Sequence, residues 1–277
     1  MASISVLILT LNEETNLAEC IDSCAWSDDI VVFDSFSTDR TCEIAAGKSV
    51  RLLQRRFDNY AAQRNAALAE VPYKHPWVLM VDADERTPED LVHEMLEAVT
   101  TADSDIALFR MRRKDYFLGR WLRRSSGYPS WFGRLVRLGR VRVERAVNEE
   151  YIADGKIVHL RSHLHHFPLN KGIAYWYERH NRYSDVEAQA KVQAHSSRLS
   201  IAALFRGDPI ARRRALKQLV YRLPMRPSIW FLYLYVFRMG FLDGAAGLAF
   251  SRMRASYETM IDMKVLELER RRRGGPV

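Results

Sequence analysis

With 277 residues, 48% of them hydrophobic, the chain can bury one substantial core, or one core with an appended helical region, since single cores stop growing near roughly 250–300 residues. Lys and Arg number 42 against 34 Asp and Glu, a formal +8; such a surface attracts phosphate, nucleic acid or anionic lipid without choosing among them. The three cysteines, Cys20, Cys24 and Cys42, are too few and of the wrong parity for a disulfide framework and fit reduced thiols in a cytosolic compartment.

Ser3 to Leu11 (SISVLILTL) is a short apolar run that passes straight into Asn12, Glu13 and Glu14. With no Lys or Arg ahead of it, it reads as a buried parallel strand rather than a signal peptide. Similar runs follow at Ile30 to Asp34, Val50 to Gln54 and Trp77 to Asp82. Helix-like stretches lie between them, around Thr15 to Cys24, Thr41 to Ala46 and Asn59 to Glu70. This alternation predicts an α/β domain, a parallel sheet with helices on its faces. In such sheets ligands bind beyond the carboxyl ends of the strands. Those ends carry Thr10 to Glu13, Asp34 to Asp39 and Asp82 to Glu85, so a site is expected where separate loops converge.

From Asp105 to about Phe167 the pattern turns short, strand-like and Arg-rich, and Lys171 to Gln193 reads as a helix. The last eighty or so residues differ in character. Ile201 to Leu223 is Arg-rich, and Ile229 to Phe237 (IWFLYLYVF) is uncharged and aromatic. That run is far below the roughly 20 residues a spanning helix needs. Flanked by Arg222, Arg226, Arg238, Arg252 and Arg254, it suits a helix lying in the interface of an anionic membrane, or an amphipathic helix on the protein's own core.

Asp82 and Asp84, two apart at a strand end, point to one side and can approach one divalent cation; a hard ion such as Mg2+ or Mn2+ takes oxygen ligands and leaves positions for phosphate. Asp34 can accept hydrogen bonds from a base or ribose, while Ser37, Thr38 or Asp39 cap the helix that follows. Arg64 has the planar fork that suits anionic oxygens. The loop after the first strand holds no glycine, which disfavours a dinucleotide-dependent oxidoreductase. Cys20 and Cys24 share a helix face and read as core. His159, His163, His165 and His166 follow strand alternation rather than a closed zinc set; His166 is read as an edge residue of the site, either a third metal ligand or structural. Trp131, Arg134 and Arg137 either contact an anionic acceptor or form the exposed half of an alternating strand.

The ordered segments TLNEETNL, DSFSTDRT, NYAAQRNAAL and VDADE resemble the large family two of inverting glycosyltransferases. GYPSWFGRLVR, VERAVNEEYIADGKI, the His165–His166 element, ERHNRYSDVEA and FLYLYVFRMGFLDGAAGLAFSRMRASYE resemble its subgroup of bacterial lipopolysaccharide-core and related polysaccharide β-glucosyltransferases. The resemblance implies a GT-A-type nucleotide-diphospho-sugar transferase fold, a mixed, mainly parallel sheet flanked by helices. With the change in character near the C-terminus, residues 1–195 are expected to form the nucleotide-sugar-binding and catalytic domain and 196–277 a basic, amphipathic helical membrane-interface or acceptor region. The resemblance implies that Thr10, Asn12 and Glu13 border the nucleoside, that Asp34 contacts the base, that Arg64 lies near the nucleotide, and that Asp82 and Asp84 hold ribose and a divalent Mn or Mg ion. Glu149 in VNEEY matches the subgroup's general base, with Glu150 as the alternative; Asn148 stands where relatives present a histidine.

The implied function is metal-dependent, inverting transfer of a hexose, glucose, from a UDP-linked donor to a lipopolysaccharide-core or related envelope saccharide. Trp131 and Arg134 are expected on the acceptor side, and the protein on the cytoplasmic face of an anionic membrane. A second reading keeps the donor chemistry with a polyprenyl phosphate acceptor. A third, a basic module binding nucleic acid or membrane, meets no zinc-finger, RNP or helix-turn-helix signature, so no nucleic-acid partner is expected.

Overall fold

The computed structural model describes residues 4–144, 150–196 and 225–276. Two compact units emerge: one of residues 1–121 and 127–171, the other of 122–126 and 172–277. The helix after residue 171 groups with the second unit.

In the first unit the alternation reads out as β1 (Ile4–Thr10), α1 (Leu17–Ser23), β2 (Ile30–Asp34), α2 (Thr41–Ala46), β3 (Arg51–Gln54), α3 (Tyr60–Glu70), β4 (Trp77–Asp82), β5 (Glu85–Arg86) and α4 (Glu89–Thr100). The Arg-rich stretch supplies β6 (Ile106–Phe117), β7 (Arg120–Trp121), β8 (Trp131–Arg137), β9 (Val141–Glu144), β10 (Glu150–Ala153) and β11 (Lys156–His166). Among the described residues nine strands form one sheet in the order β3-β2-β1-β4-β8-β6-β11-β5, with β7 on β6, and β9 pairs β10 separately. β3, β2, β1 and β4 are mutually parallel. β8 lies antiparallel between β4 and β6, and β11 runs parallel to β6. The carboxyl ends of β1, β2, β4, β6 and β11 therefore open on one edge.

β1 is buried on both faces: Ile4, Val6 and Ile8 join α1 and α4 residues such as Leu17 and Leu91, while Leu7 packs with Val31, Met80 and Ala67 of α3. Each such side chain contributes about 1.5–3 kcal/mol on burial, which is why the run has no polar alternation. α3 starts where expected, because Asn59 Oδ1 accepts from the Ala62 N–H at 2.9 Å. Gly133 on β8 leaves room for a neighbour: a Cβ there would come 3.1 Å from the Tyr151 ring of β10.

The second unit holds α5 (Gly172–Ser196), α6 (Arg226–Leu232), a π-helical turn (Tyr233–Phe237), a 3-10 turn (Gly240–Asp243) and α7 (Gly244–Arg272). Lys191 to Asp262 at 2.6 Å ties α5 to α7, and the buried pair Arg226 to Glu258 at 2.7 Å ties α6 to α7. Among the described residues no single helix is long and apolar enough to cross a membrane; Arg226–Phe237 and Gly240–Arg272, bent by 72°, meet the length and composition requirement only together. The Arg-rich segment 201–223 lies outside the described residues.

Candidate active site

β1 and β2 deliver Thr10 and Asp34 side by side, registered as partners. The Asp34 carboxylate accepts from Thr10 Oγ1 at 2.8 Å, from Ser37 through its N–H at 2.8 Å and its hydroxyl at 2.5 Å, and from Gln54 at 3.1 Å. Burial alone would raise its pKa, but these donors outweigh it and hold the group below its usual range. Asp34 is wholly buried and spends its acceptors on its own loop and on the ends of the neighbouring strands β1 and β3. Asn12 joins this loop, donating its N–H to Ser37 Oγ and accepting from the Thr38 N–H, both at 2.8 Å. The residue preceding α2 is Arg40, which makes no side-chain cap bond; Asp39 instead accepts from the Thr41 N–H at 3.0 Å. Glu13 accepts from Lys171 Nζ at 2.5 Å and Asn16 at 2.9 Å.

Phe36 follows β2 in the left-handed region, φ 61°, a conformation that costs a bulky residue about 1–3 kcal/mol and concentrates at binding sites. Its ring is exposed, with the Arg56 guanidinium 5.9 Å from the centroid. Sequence periodicity gives no hint of this residue.

β4 ends in Asp82, whose two oxygens meet two guanidiniums. Arg64 of α3 donates to Oδ1 at 2.8 Å and Arg134 of β8 to Oδ2 at 2.5 Å. Arg134 also donates to Glu85 at 2.7 Å, Glu85 Oε2 accepts from the Asp82 N–H at 3.0 Å, and Arg113 stands 3.5 Å from Glu85. Burial would raise Asp82, but Arg134 and Arg64 keep it ionised far below the usual carboxylate range. For Glu85 burial prevails; Arg134 opposes the rise and Asp82 adds to it.

Arg134, expected on the acceptor side, is only 4% exposed and faces Asp82 and Glu85. The β6–β8 register shifts between Phe109 and Arg110, and this bulge beside Arg134 accompanies the turn of its side chain to the strand-end carboxylates. Trp131 remains exposed. Arg137 stacks its guanidinium 4.7 Å from the Trp77 ring and donates to the Ser104 and Asp103 carbonyls.

Asp84 answers to a different partner. β5 pairs antiparallel with the end of β11, setting Glu85 opposite His166, and the Phe167 N–H donates to the Asp84 carbonyl at 2.8 Å. His166 Nε2 then lies 3.3 Å from Asp84 Oδ2, and its Nδ1 is 2.7 Å from Asp115 of β6. Burial would lower the imidazole, but Asp84 and Asp115 outweigh it, against Arg113, and carry it to about 9. The same imidazole holds Asp84 and Asp115 below their usual range against their burial. Four carboxylates, Asp82, Asp84, Glu85 and Asp115, thus face Arg64, Arg113, Arg134 and His166.

Among the described residues no three His, Cys, Asp or Glu side chains gather in a metal-ligand arrangement, and Asp82 is occupied by arginines rather than shared with Asp84 as expected. Asp84 and His166 nonetheless fit a divalent ion. Two adjacent ligands of an octahedral ion with bonds of about 2.0–2.1 Å stand roughly 3 Å apart, close to the observed 3.3 Å. The Asp115 contact fixes the imidazole with Nε2 toward Asp84, the outer carboxylate that metal-bound histidines usually have.

Arg113 and Asp115 escape a reading by motif, and Glu85, though inside VDADE, carries no assigned role there. Their signal is the spacing of Arg113 and Asp115 two apart on β6, hence on one face. Glu149, expected as general base, lies outside the described residues, as does Asn148. Asn65 on α3, next to Arg64, bonds both the N–H and the carbonyl of Val143 at 2.8 Å, tying β9 to the helix that reaches Asp82. Glu150 on β10 is exposed.

The sequence matches the family model described as glycosyl transferase family 2 over residues 5–164. It is 28% identical to the lipopolysaccharide core biosynthesis glycosyltransferase LpsC of Rhizobium meliloti (strain 1021), with 91% of this chain and 90% of that protein covered. Among solved structures, glucosyl-3-phosphoglycerate synthase from Mycobacterium tuberculosis, in complex with Mn2+, UDP and glucosyl-3-phosphoglycerate, is 25% identical over 40% of this chain and 44% of its own, TM-score 0.35. S. aureus TarS 1–349 is 15% identical over 99% and 92%, TM-score 0.44. The family match spans more than half the sequence and covers the strands that build the acidic edge: the chain belongs to glycosyl transferase family 2 and is a glycosyltransferase with a GT-A-type α/β domain.

Proposed function

We propose that the protein is an inverting, metal-assisted hexosyltransferase that moves a hexose, glucose in the simplest reading, from a UDP-sugar to a lipopolysaccharide-core or related envelope saccharide. The observation that carries this reading is the convergence on one sheet edge of the Arg64–Asp82–Arg134–Glu85 cluster and the Asp84–His166–Asp115 chain. The acceptor class is supported by likeness to LpsC across nine-tenths of both chains, 91% and 90%.

A divalent cation on Asp84 and His166 would supply charge neutralisation for a departing diphosphate. The protein's own residues do the rest. The two guanidiniums on Asp82 keep its carboxylate ionised and fixed, ready to accept from a ribose hydroxyl. Thr10, Asn12 and Asp34 shape the loop that borders the nucleoside, and Lys171 brings a cation onto Glu13. We assign Glu149 as the base, with Glu150 next in line. It takes the acceptor hydroxyl's proton as that oxygen attacks the anomeric carbon; the bond to the diphosphate oxygen breaks as the new one forms, and one displacement inverts an α-linked donor to a β-linkage.

The proposal includes peripheral attachment to the cytoplasmic face of an anionic membrane. In the second unit Leu232, Val236, Phe237, Met239, Phe241 and Leu242 project bulky apolar groups outward, Phe237 being 79% exposed. The turn beneath them is firmly built: buried Asp243 accepts from the N–H groups of Arg124 and Ser125 and from the Ser125 hydroxyl at 2.8–2.9 Å. An apolar surface fixed this way suits the headgroup and acyl boundary of a bilayer.

Purified protein given labelled UDP-glucose, Mn2+ and either a truncated core oligosaccharide or polyprenyl phosphate tests the reading. The expected result is a β-linked product on the saccharide alone, with donor binding kept and turnover lost in Glu149→Gln. Product on polyprenyl phosphate selects the lipid-carrier alternative, and no transfer from any UDP-hexose rejects the proposal.

A further inference from the structure

Side chains along a strand alternate between faces, and β6 uses both. Arg113 and Asp115 turn to Glu85 and His166; Arg112 and Lys114, between and beside them, turn the other way. There the register sets Arg112 opposite Trp131 of β8 and beside His163 of β11. The Arg112 guanidinium stands 5.2 Å from the Trp131 ring and 3.5 Å from the Tyr128 hydroxyl, and it donates to the Arg161 carbonyl. Lys114 Nζ is 5.1 Å from the Trp121 ring. Trp121 meets Tyr128 edge-on at 5.1 Å, and Tyr128 bonds His163 Nε2 at 3.0 Å.

The charges on this face are unlike those on the catalytic one. Among the described residues no carboxylate comes within ion-pair distance of Arg112 or Lys114, whereas Arg64, Arg113 and Arg134 all meet one. Of the nearby acids on α4, Glu94 is engaged by the N–H groups of Arg161 and Ser162 at 2.7 Å, and Asp90 acts on His163 only at a distance. Burial, then Arg112 and Lys114, push His163 down to about 4, so the imidazole is neutral near pH 7 and the two cations set the local field. Trp131, with Arg112 over its ring and His159 at 4.5 Å in a T-shaped pair, remains 41% exposed. Aromatic faces that stack on sugar rings, beside cations that lack carboxylate partners, match a sugar bearing an anionic group.

We infer that the strip of Trp121, Tyr128, Trp131, Arg112 and Lys114 binds a phosphorylated saccharide. It rests on the reading of the protein as a saccharide-acceptor transferase and names the acceptor's chemistry. Lys114 and His165 are the chain neighbours of Asp115 and His166 and are themselves register partners, so the strip and the catalytic cluster flank the same strand ends on opposite faces. An oligosaccharide lying over that rim reaches both, its phosphate on Arg112 and Lys114 and its accepting hydroxyl toward the catalytic side. The cation beside Trp131 in this strip is Arg112.

The test is calorimetric binding, without donor, of a synthetic trisaccharide bearing one phosphate monoester and of its unphosphorylated twin to the full-length protein. The phosphorylated form is expected to bind about tenfold tighter or more, a preference that shrinks with salt, since each charge-assisted contact is screened. Lys114→Gln should abolish the preference while leaving the melting temperature and UDP binding unchanged, and Arg112→Gln with Lys114→Gln should abolish it while leaving UDP binding unchanged; Trp131→Ala should weaken both forms. Equal affinity for the two sugars, or a preference that survives Lys114→Gln and the double change, overturns the inference. So does loss of binding to phosphatidylglycerol vesicles in the double variant without any effect on the sugars, which would make the strip a lipid contact. Because no transfer step is involved, a failed donor assay with an intact phosphate preference removes the donor reading and leaves the strip standing.

Discussion

Arg134→Met separates the arrangement in the structure from the one that strand alternation alone suggests. Arg134 is 4% exposed, and its guanidinium lies 2.5 Å from Asp82 and 2.7 Å from Glu85. Methionine fills much of the volume but leaves Glu85, 0% exposed, with only Arg113 at 3.5 Å and one backbone N–H at 3.0 Å. Removing one partner of a buried pair costs about 3–5 kcal/mol, because the stranded charge stays out of water. For a domain of this size that is a fall in melting temperature of about 6–20 °C. An exposed acceptor contact would instead change stability by less than about 0.5 kcal/mol. Chemical and thermal denaturation of the purified protein reads the difference. The same substitution in a Glu85→Gln background should cost at least about 1 kcal/mol less, since the one carboxylate that then loses Arg134 is Asp82, which keeps Arg64 at 2.8 Å. A melting temperature within about 1 °C of wild type, or equal losses in both backgrounds, refutes the buried cluster.

Gly240→Ala should destabilise the second unit by about 1–3 kcal/mol, because a Cβ there would stand 2.5 Å from the Leu234 carbonyl; hydrogen exchange across α6 and α7 measures it, and unchanged protection contradicts the close packing. His180 stacks on Trp176 at 3.6 Å between centroids and meets Tyr257 edge-on, and burial, helped by Arg254 and Arg179, lowers it to about 4. Its folded value lies below the unfolded one, so its stabilisation is present above pH 6.5 and is lost as pH falls toward 4, by about 2 kcal/mol once partial exposure is allowed for. Denaturation midpoints of wild type and His180→Phe should converge over that window, and parallel curves would refute the assignment. Phe237→Glu with Leu242→Glu should weaken binding to phosphatidylglycerol-containing vesicles at least about tenfold. Unchanged sedimentation with vesicles would remove the membrane contact.

The parallel half of the fold is legible because its strands are buried on both faces. Ile4–Thr10, Ile30–Asp34 and Trp77–Asp82 have to be continuous apolar runs, and their first polar residues mark the edge where ligands bind. The antiparallel half is harder to read. Its strands carry Arg on both faces, so alternation does not say which Arg is buried; a one-position shift beside Arg134 decides that, and bulges leave no mark in composition. Asp84 and His166 are 82 residues apart in number and meet only because the two-residue β5 pairs with the end of β11. A strand that short is invisible to periodicity. Asp34 and Arg64 are visible as candidates, but their partners are not: Asp34 bonds Ser37 of its own loop and the ends of β1 and β3, and Arg64 reaches Asp82, the carboxylate expected to hold ribose and metal.

UDP titration by calorimetry, with and without Mn2+, for wild type and Asp84→Asn tests the account most directly. Wild type should bind UDP about tenfold or more tightly with Mn2+. Asp84→Asn should lose that gain while keeping the metal-free affinity and its fold. UDP affinity indifferent to Mn2+ in wild type, or a full Mn2+ effect in Asp84→Asn, would contradict a diphosphate site at Asp84 and His166.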